Sequence, residues 1–119
     1  MKKTFQKFEI TIPATETTLV SEVLKQEYSN CEAVFCTLPN PAQADKLTIG
    51  MKIDGAEILP NNTDLSLIHF NGNVSVKDTQ YDFAEDNMPA RSSQVEFSIT
   101  NSDTVNEAVV NVYCVLVNK

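Results

Sequence analysis

One histidine, His69, one arginine, Arg91, and three cysteines are the scarcest chemical resources of this 119-residue chain. A nucleophilic site could be drawn from His69 with Cys36 or a serine, but no nucleophile elbow accompanies the histidine. A histidine in an apolar strand, beside Phe70, is read as a structural side chain with a satisfied hydrogen bond. Cys31, Cys36 and Cys114 have no CxxC spacing, so they spell neither a zinc site nor a redox pair. Cys31 and Cys36 are five positions apart, which in a regular strand places them on opposite faces and disfavours a bridge. Cys114 sits in an apolar run and is expected to pack as a small hydrophobe. Asp78, Asp82, Glu85, Asp86 and Asn87 offer hard oxygen ligands, yet lack the Asp-x-Asp-x-Asp-Gly order of a calcium loop. They are read as a solvated loop. GxGxxG, phosphate-loop and HExxH patterns are absent, and paired carboxylates drawn from 16 acidic residues carry no specificity. The expectation is therefore no catalytic residue, no metal, no cofactor and no enzyme.

Charge excludes another class of function. Nine basic against 16 acidic residues give a net charge of −7. Phosphate binding needs clustered Lys and Arg, and here only Lys2, Lys3 and Lys7 cluster, as a solubilising tail. Direct nucleic-acid binding is not expected. The basic start is followed by acidic and polar residues and no apolar h-region, so it is not read as a signal peptide. No apolar run is long enough to span a membrane. Unpaired cysteines suit a reducing cytoplasm. Sugar-binding sandwiches stack rings on exposed aromatics, often Trp. This chain has no Trp, leaving Tyr28, Tyr81 and Tyr113 as candidates. A carbohydrate-binding or adhesion module is the alternative reading.

The elements that must position these residues are strands. Phe8, Ile10 and Ile12 alternate with polar neighbours up to Pro13. Residues 17–28, TTLVSEVLKQEY, are ambiguous: Leu19, Val20, Val23, Leu24 and Tyr28 have helical spacing, whereas Val, Thr and Tyr favour strand, and a short helix is preferred. CEAVFCTL (31–38) is a strand, and PNPAQAD a loop. KLTIGMKIDGAEILP (46–60) is a hairpin about a type I′ turn at Asp54-Gly55, pairing Ile53 with Ala56, Lys52 with Glu57 and Met51 with Ile58. Leu47, Ile49, Met51, Ile53, Ala56 and Ile58 then share a face. Asn71-Gly72 marks a second hairpin between DLSLIHF and NVSVKD, and 81–93 is read as a long loop. The triplets at Asn61 and Asn73 are read as turn chemistry. QVEFSIT alternates cleanly. In the last strand Ala108, Val110, Val112, Cys114 and Leu116 form one face, and Val109, Tyr113, Val115 and Val117 the other, so it is central or covered on both sides.

About eight strands with at most one short helix, and no linker or repeat, predict an all-β fold. The form expected is an antiparallel β-sandwich, a single jelly roll spanning residues 1–119. The series FEITIPA, TTLVSEVL, KLTIGMKIDGAEILP, QVEFSIT and VVNVYCVLVNK, from about Phe5 to Lys119, resembles small bacteriophage virion proteins built on a single jelly roll. The resemblance rests on strand order and turn placement and carries no site residues over. It implies a structural role as a capsid vertex, spike-base or decoration subunit, made in the bacterial host cytoplasm and resident in the virion. Its partners would be other capsid proteins and copies of itself. Apolar rows of Ile68 and Phe70, and of Val109, Tyr113, Val115 and Val117, are the expected contact of a trimer or pentamer if they are exposed.

Overall fold

In the computed structural model, residues 3–70, 81–82, 88–89 and 93–118 are described, with 81–82 and 88–89 as backbone only. Strands β1 (Lys3–Ile12), β2 (Thr17–Val23), β3 (Asn30–Thr37), β4 (Leu47–Ile53) and β5 (Ala56–Asp64) are followed by two-residue segments β6 (Tyr81–Asp82) and β7 (Met88–Pro89). The chain ends in β8 (Gln94–Asn101) and β9 (Ala108–Val117), and two 3-10 turns, η1 (Pro41–Lys46) and η2 (Leu65–Leu67), interrupt the strands.

The pairings are nested. β1 pairs β9, β2 pairs β8, β3 pairs β6 and β7, and β4 pairs β5, all antiparallel. Such a ribbon, folded back on itself from its two ends, gains further pairings when rolled: β3 with β9, and β4 with β8. The outcome is one sheet in the order β1-β9-β3-β6, with β7 also on β3, and a second in the order β2-β8-β4-β5. This is the strand order of a jelly roll, and the expected antiparallel sandwich is what the chain forms. Alternation drives it. Phe8, Ile10 and Ile12 of β1 are buried while Lys7, Glu9 and Thr11 are exposed. Val95, Phe97 and Ile99 of β8 and Val110, Val112 and Cys114 of β9 fill the same core.

The hairpin turn is as expected. Asp54 and Gly55 both have positive φ, 50° and 84°, which a type I′ turn requires. Ile53 opposes Ala56 and Lys52 opposes Glu57, but Met51 opposes Leu59 and not Ile58. An irregularity between Met51 and Lys52 shifts the register by one, so Leu59 is buried, Ile58 half-buried, and Ala56 lies in solvent.

Four other expectations are corrected. Thr17–Val23 is a strand and not a short helix, because its seven residues find a complete backbone partner in β8. Leu19 and Val23, which created the helical spacing, point to solvent, and β-branched Thr17, Thr18, Val20 and Val23 suit the pleat. PNPAQAD, read as a loop, forms most of η1, whose N-cap Asn40 accepts from the Ala42 amide at 3.3 Å. The segment before Asn71-Gly72 is η2 and then a single parallel bridge from Cys36 to His69; Leu65 and Ile68 are buried at the i, i+3 spacing of a 3-10 turn. The Asn71-Gly72 turn itself lies outside the described residues. Within 81–93, β6 and β7 dock on the edge of β3 where a continuous loop was expected.

Candidate functional site

Two outward surfaces carry the side chains that could act. The first is the outer face of β1-β9-β3. Register places Phe5 beside Val115, Val115 beside Ala33, and Tyr113 beside Phe35. Ala33, Phe35 and Val115 form a small second core outside the sheet, with Phe70 and Tyr113 packed against it. Phe35 and Tyr113 stack at 4.9 Å between ring centres, and Phe5 meets Phe35 edge-on at 5.6 Å. Phe5 is nonetheless 51 % exposed. Of the residues expected at a contact, Val109, Tyr113 and Phe70 are half-buried. Val115 and Val117 are buried within the chain, and Ile68 belongs to the main core, so these three offer no open surface here. Lys3 closes one end of the face through a 2.6 Å ion pair with Glu32.

The second surface is the outer face of β2-β8-β4-β5. It is built in rows by the register: Thr17, Thr100 and Thr48; then Leu19, Ser98 and Gly50; then Ser21, Glu96, Lys52 and Glu57. Thr17 and Thr100 share a hydrogen bond of 2.8 Å, and the Gln94 side-chain Nε2 donates to Ser21 Oγ. Over the middle row lies a groove of about 350 Å³, bordered by Leu19, Ser21, Lys52, Asn61, Glu96 and Ser98 and floored by Gly50.

The residues first considered for catalysis do not assemble around either surface. Cys36 is buried, and burial pushes its thiol up to about 12, the opposite of what a thiolate nucleophile needs. Burial lowers the pKa of His69. Cys31 and Cys36 both face the core, against the parity expectation, because a bulge between Cys31 and Ala33 inserts one residue and reverses the alternation. All three cysteines are free thiols, and a hydrogen bond that the Cys114 thiol makes to Cys31, then burial, raise the pKa of Cys114. Of the acidic cluster, Asp78, Glu85, Asp86 and Asn87 lie outside the described residues, and Asp82 is described by its backbone alone. Among the described residues no three His, Cys, Asp or Glu side chains gather as metal ligands. Tyr28 packs against the core. No helix among the described residues is long and apolar enough to cross a membrane.

Sequence reasoning passed over Phe5, Phe35 and Gly50, and read Asn61 only as turn chemistry. Phe35 lies on an apolar strand whose bulge hides which face it takes. Gly50 had a legible signal: it interrupts the outward positions of the alternating strand LTIGMKI, where glycine weakens pairing.

What the fold and these surfaces define is an antiparallel jelly-roll sandwich with two candidate binding faces, one aromatic and one polar. No family model matches the chain, and no curated protein matches it.

Proposed function

We propose that this chain is a structural subunit of a bacteriophage virion, acting by self-assembly and by docking on other capsid proteins, without catalysis. The observation that carries the reading is the aromatic outer face of β1-β9-β3. Phe5 stands half in solvent beside stacked Phe35 and Tyr113, between Lys3 and Lys7 along β1. An aromatic side chain held on a rigid sheet, with an apolar underlay already buried, meets the requirement for an interface anchor: large contact area at small conformational cost. Phe70 and Tyr113 extend the patch, while Ala33 and Val115 support it from below. The resemblance of the strand series to phage jelly-roll subunits supports the same role, and repetition about a symmetry axis suits a trimer or pentamer.

Size-exclusion chromatography with light scattering tests this on the wild type, Phe5→Asp and Tyr113→Asp. The wild type is expected to form a closed homo-oligomer, and each variant to shift it to monomer while keeping a β-type circular dichroism spectrum. A wild type that stays monomeric at high concentration and fails to co-purify with virions overturns the reading.

A further inference from the structure

Three departures from ordinary strand chemistry meet at one place on the outer face of β2-β8-β4-β5. Gly50 stands in the interior of β4, where a glycine weakens a strand and gives up a side chain to pack. Opposite it, β5 is bulged: the pairing steps from Ile49 with Thr63 to Met51 with Leu59. Inside that bulge Asn62 has φ of 69°, left-handed backbone that a non-glycine residue adopts at a cost. Thr63 Oγ1 closes the bulge by donating to the Pro60 carbonyl at 2.6 Å. The other left-handed residues, Thr15, Asp54 and Gly55, lie in turns between strands and need no such account.

The three departures have one joint effect, the placing of Asn61. A Cβ on residue 50 would overlap Asn61 Oδ1 and come within 3.1 Å of its Cα, so the glycine is what lets Asn61 lie over the strand. Bulges that re-aim a side chain, and strain that nothing in the local fold requires, concentrate at functional sites. Asn61 borders the groove of about 350 Å³, in the size range of small-ligand sites.

The groove's chemistry selects its ligand. Asn61 offers a carbonyl and an amide, Ser98 and Ser21 hydroxyls, Glu96 an acceptor and Lys52 a donor. Anions are disfavoured, because Lys52 has Glu96 and Glu57 as its cross-strand neighbours on either side. A wholly apolar ligand is disfavoured too. Leu19, 77 % exposed, is the apolar side chain standing free at the rim, while Met51 and Phe97 are buried in the core. Alternating donors and acceptors beside one apolar wall match a molecule whose every polar group is both donor and acceptor. We propose that this groove is a saccharide-binding site, in which Asn61, Glu96, Lys52 and Ser98 hydrogen-bond the hydroxyls of a sugar unit and Leu19 covers one side of its ring. This site lies on the opposite sheet from the aromatic face and stands or falls independently of it.

Amide NMR titration of the full chain tests the proposal, with maltotriose, cellotriose, mannotriose, chitotriose and galactobiose as separate probes and inorganic phosphate as the anion control. At least one saccharide is expected to move the Gly50, Lys52, Glu96 and Ser98 amides saturably, with phosphate leaving them in place. Asn61→Ala and Glu96→Gln should each weaken that binding about tenfold, the loss of one charge-assisted or well-placed hydrogen bond. Leu67→Ala, on the exposed η2 turn, should leave it unchanged, and retained amide dispersion shows that each variant is folded. Binding that survives both groove variants, shifts caused by phosphate alone, or no shift with any of the five sugars overturns it.

Discussion

Gly50 and Gly55 lie five residues apart on one hairpin, yet they are glycine for different reasons. At Gly55 nothing lies within 4 Å of where a Cβ would stand, but φ of 84° is left-handed. At Gly50 the obstacle is space, since Asn61 occupies the Cβ position. Gly55→Val should therefore destabilise the chain by more than about 1 kcal/mol, a β-branched residue resisting positive φ. Gly50→Ala should cost about 1–3 kcal/mol, the range for forcing atoms into a filled site. The two are separable by combining each with Asn61→Gly in urea melts. Removal of the Asn61 side chain should recover much of the Gly50→Ala loss and none of the Gly55→Val loss.

The β8–β9 connection, residues 102–107, shows how an element without regular structure is held. Asn101, 1 % exposed, donates from Nδ2 to the carbonyls of Ile12 and Asn106 at 3.2 and 3.0 Å and accepts the Asp103 amide at 2.9 Å. Asp103 accepts from the Val105 and Asn106 amides at 2.9 and 3.1 Å, with Lys46 Nζ 3.6 Å away. Those backbone bonds, the Val105 amide first, hold its carboxyl below the usual value of 3.8. A carboxylate with a lowered folded pKa contributes stability that is complete above 3.8 and is lost as pH falls through the folded value. Asp54, lowered first by the Gln94 amide, acts in the same sense. His69 adds a loss at higher pH. Burial lowers its folded pKa, so below 6.5 the unfolded chain takes up a proton that the folded chain resists. Urea midpoints are expected to be flat above pH 7, to decline below 6.5 and to fall again below 3.8. In Asp103→Ala the acid limb should be shallower and the His69 limb unchanged.

At the scale of the molecule, the nested pairing makes β1 and β9, with Lys3 opposite Val117, the last pair to close, β1 at the edge of its sheet and β9 in its interior. Pairing of sequence-distant strands must bear loop-closure entropy before contacts reward it. Stopped-flow refolding is expected in the millisecond-to-second range typical of all-β domains. Val112→Ala, at the buried centre of β9, should destabilise by about 1–3 kcal/mol through lost apolar burial and an incompletely collapsed cavity. A microsecond refolding phase carrying the full amplitude would contradict this order of events.

The strands that alternate cleanly were legible because period-two patterning fixes which residues face a core: Phe8, Ile10 and Ile12, or Val95, Phe97 and Ile99, can be buried together in one way only. The Asp54-Gly55 turn was legible because both positions demand positive φ. So was the two-sided apolar character of β9, which lies between β1 and β3. Residues 17–23 were not, because their backbone partner is β8, some 80 positions away, and local spacing carries no trace of a distant edge. The faces of Cys31 and Cys36, and the partner of Met51, turned on single-residue bulges, which reverse alternation without marking composition. Both candidate surfaces are products of such register. Phe5, Phe35 and Tyr113 come from three strands, and Gly50, Asn61, Glu96 and Leu19 from four. The sequence alone determined a β-sandwich and its turn. Which side chains share a face was decided only when long-range pairing set the registers, because a one-residue slip sends every side chain to the opposite side.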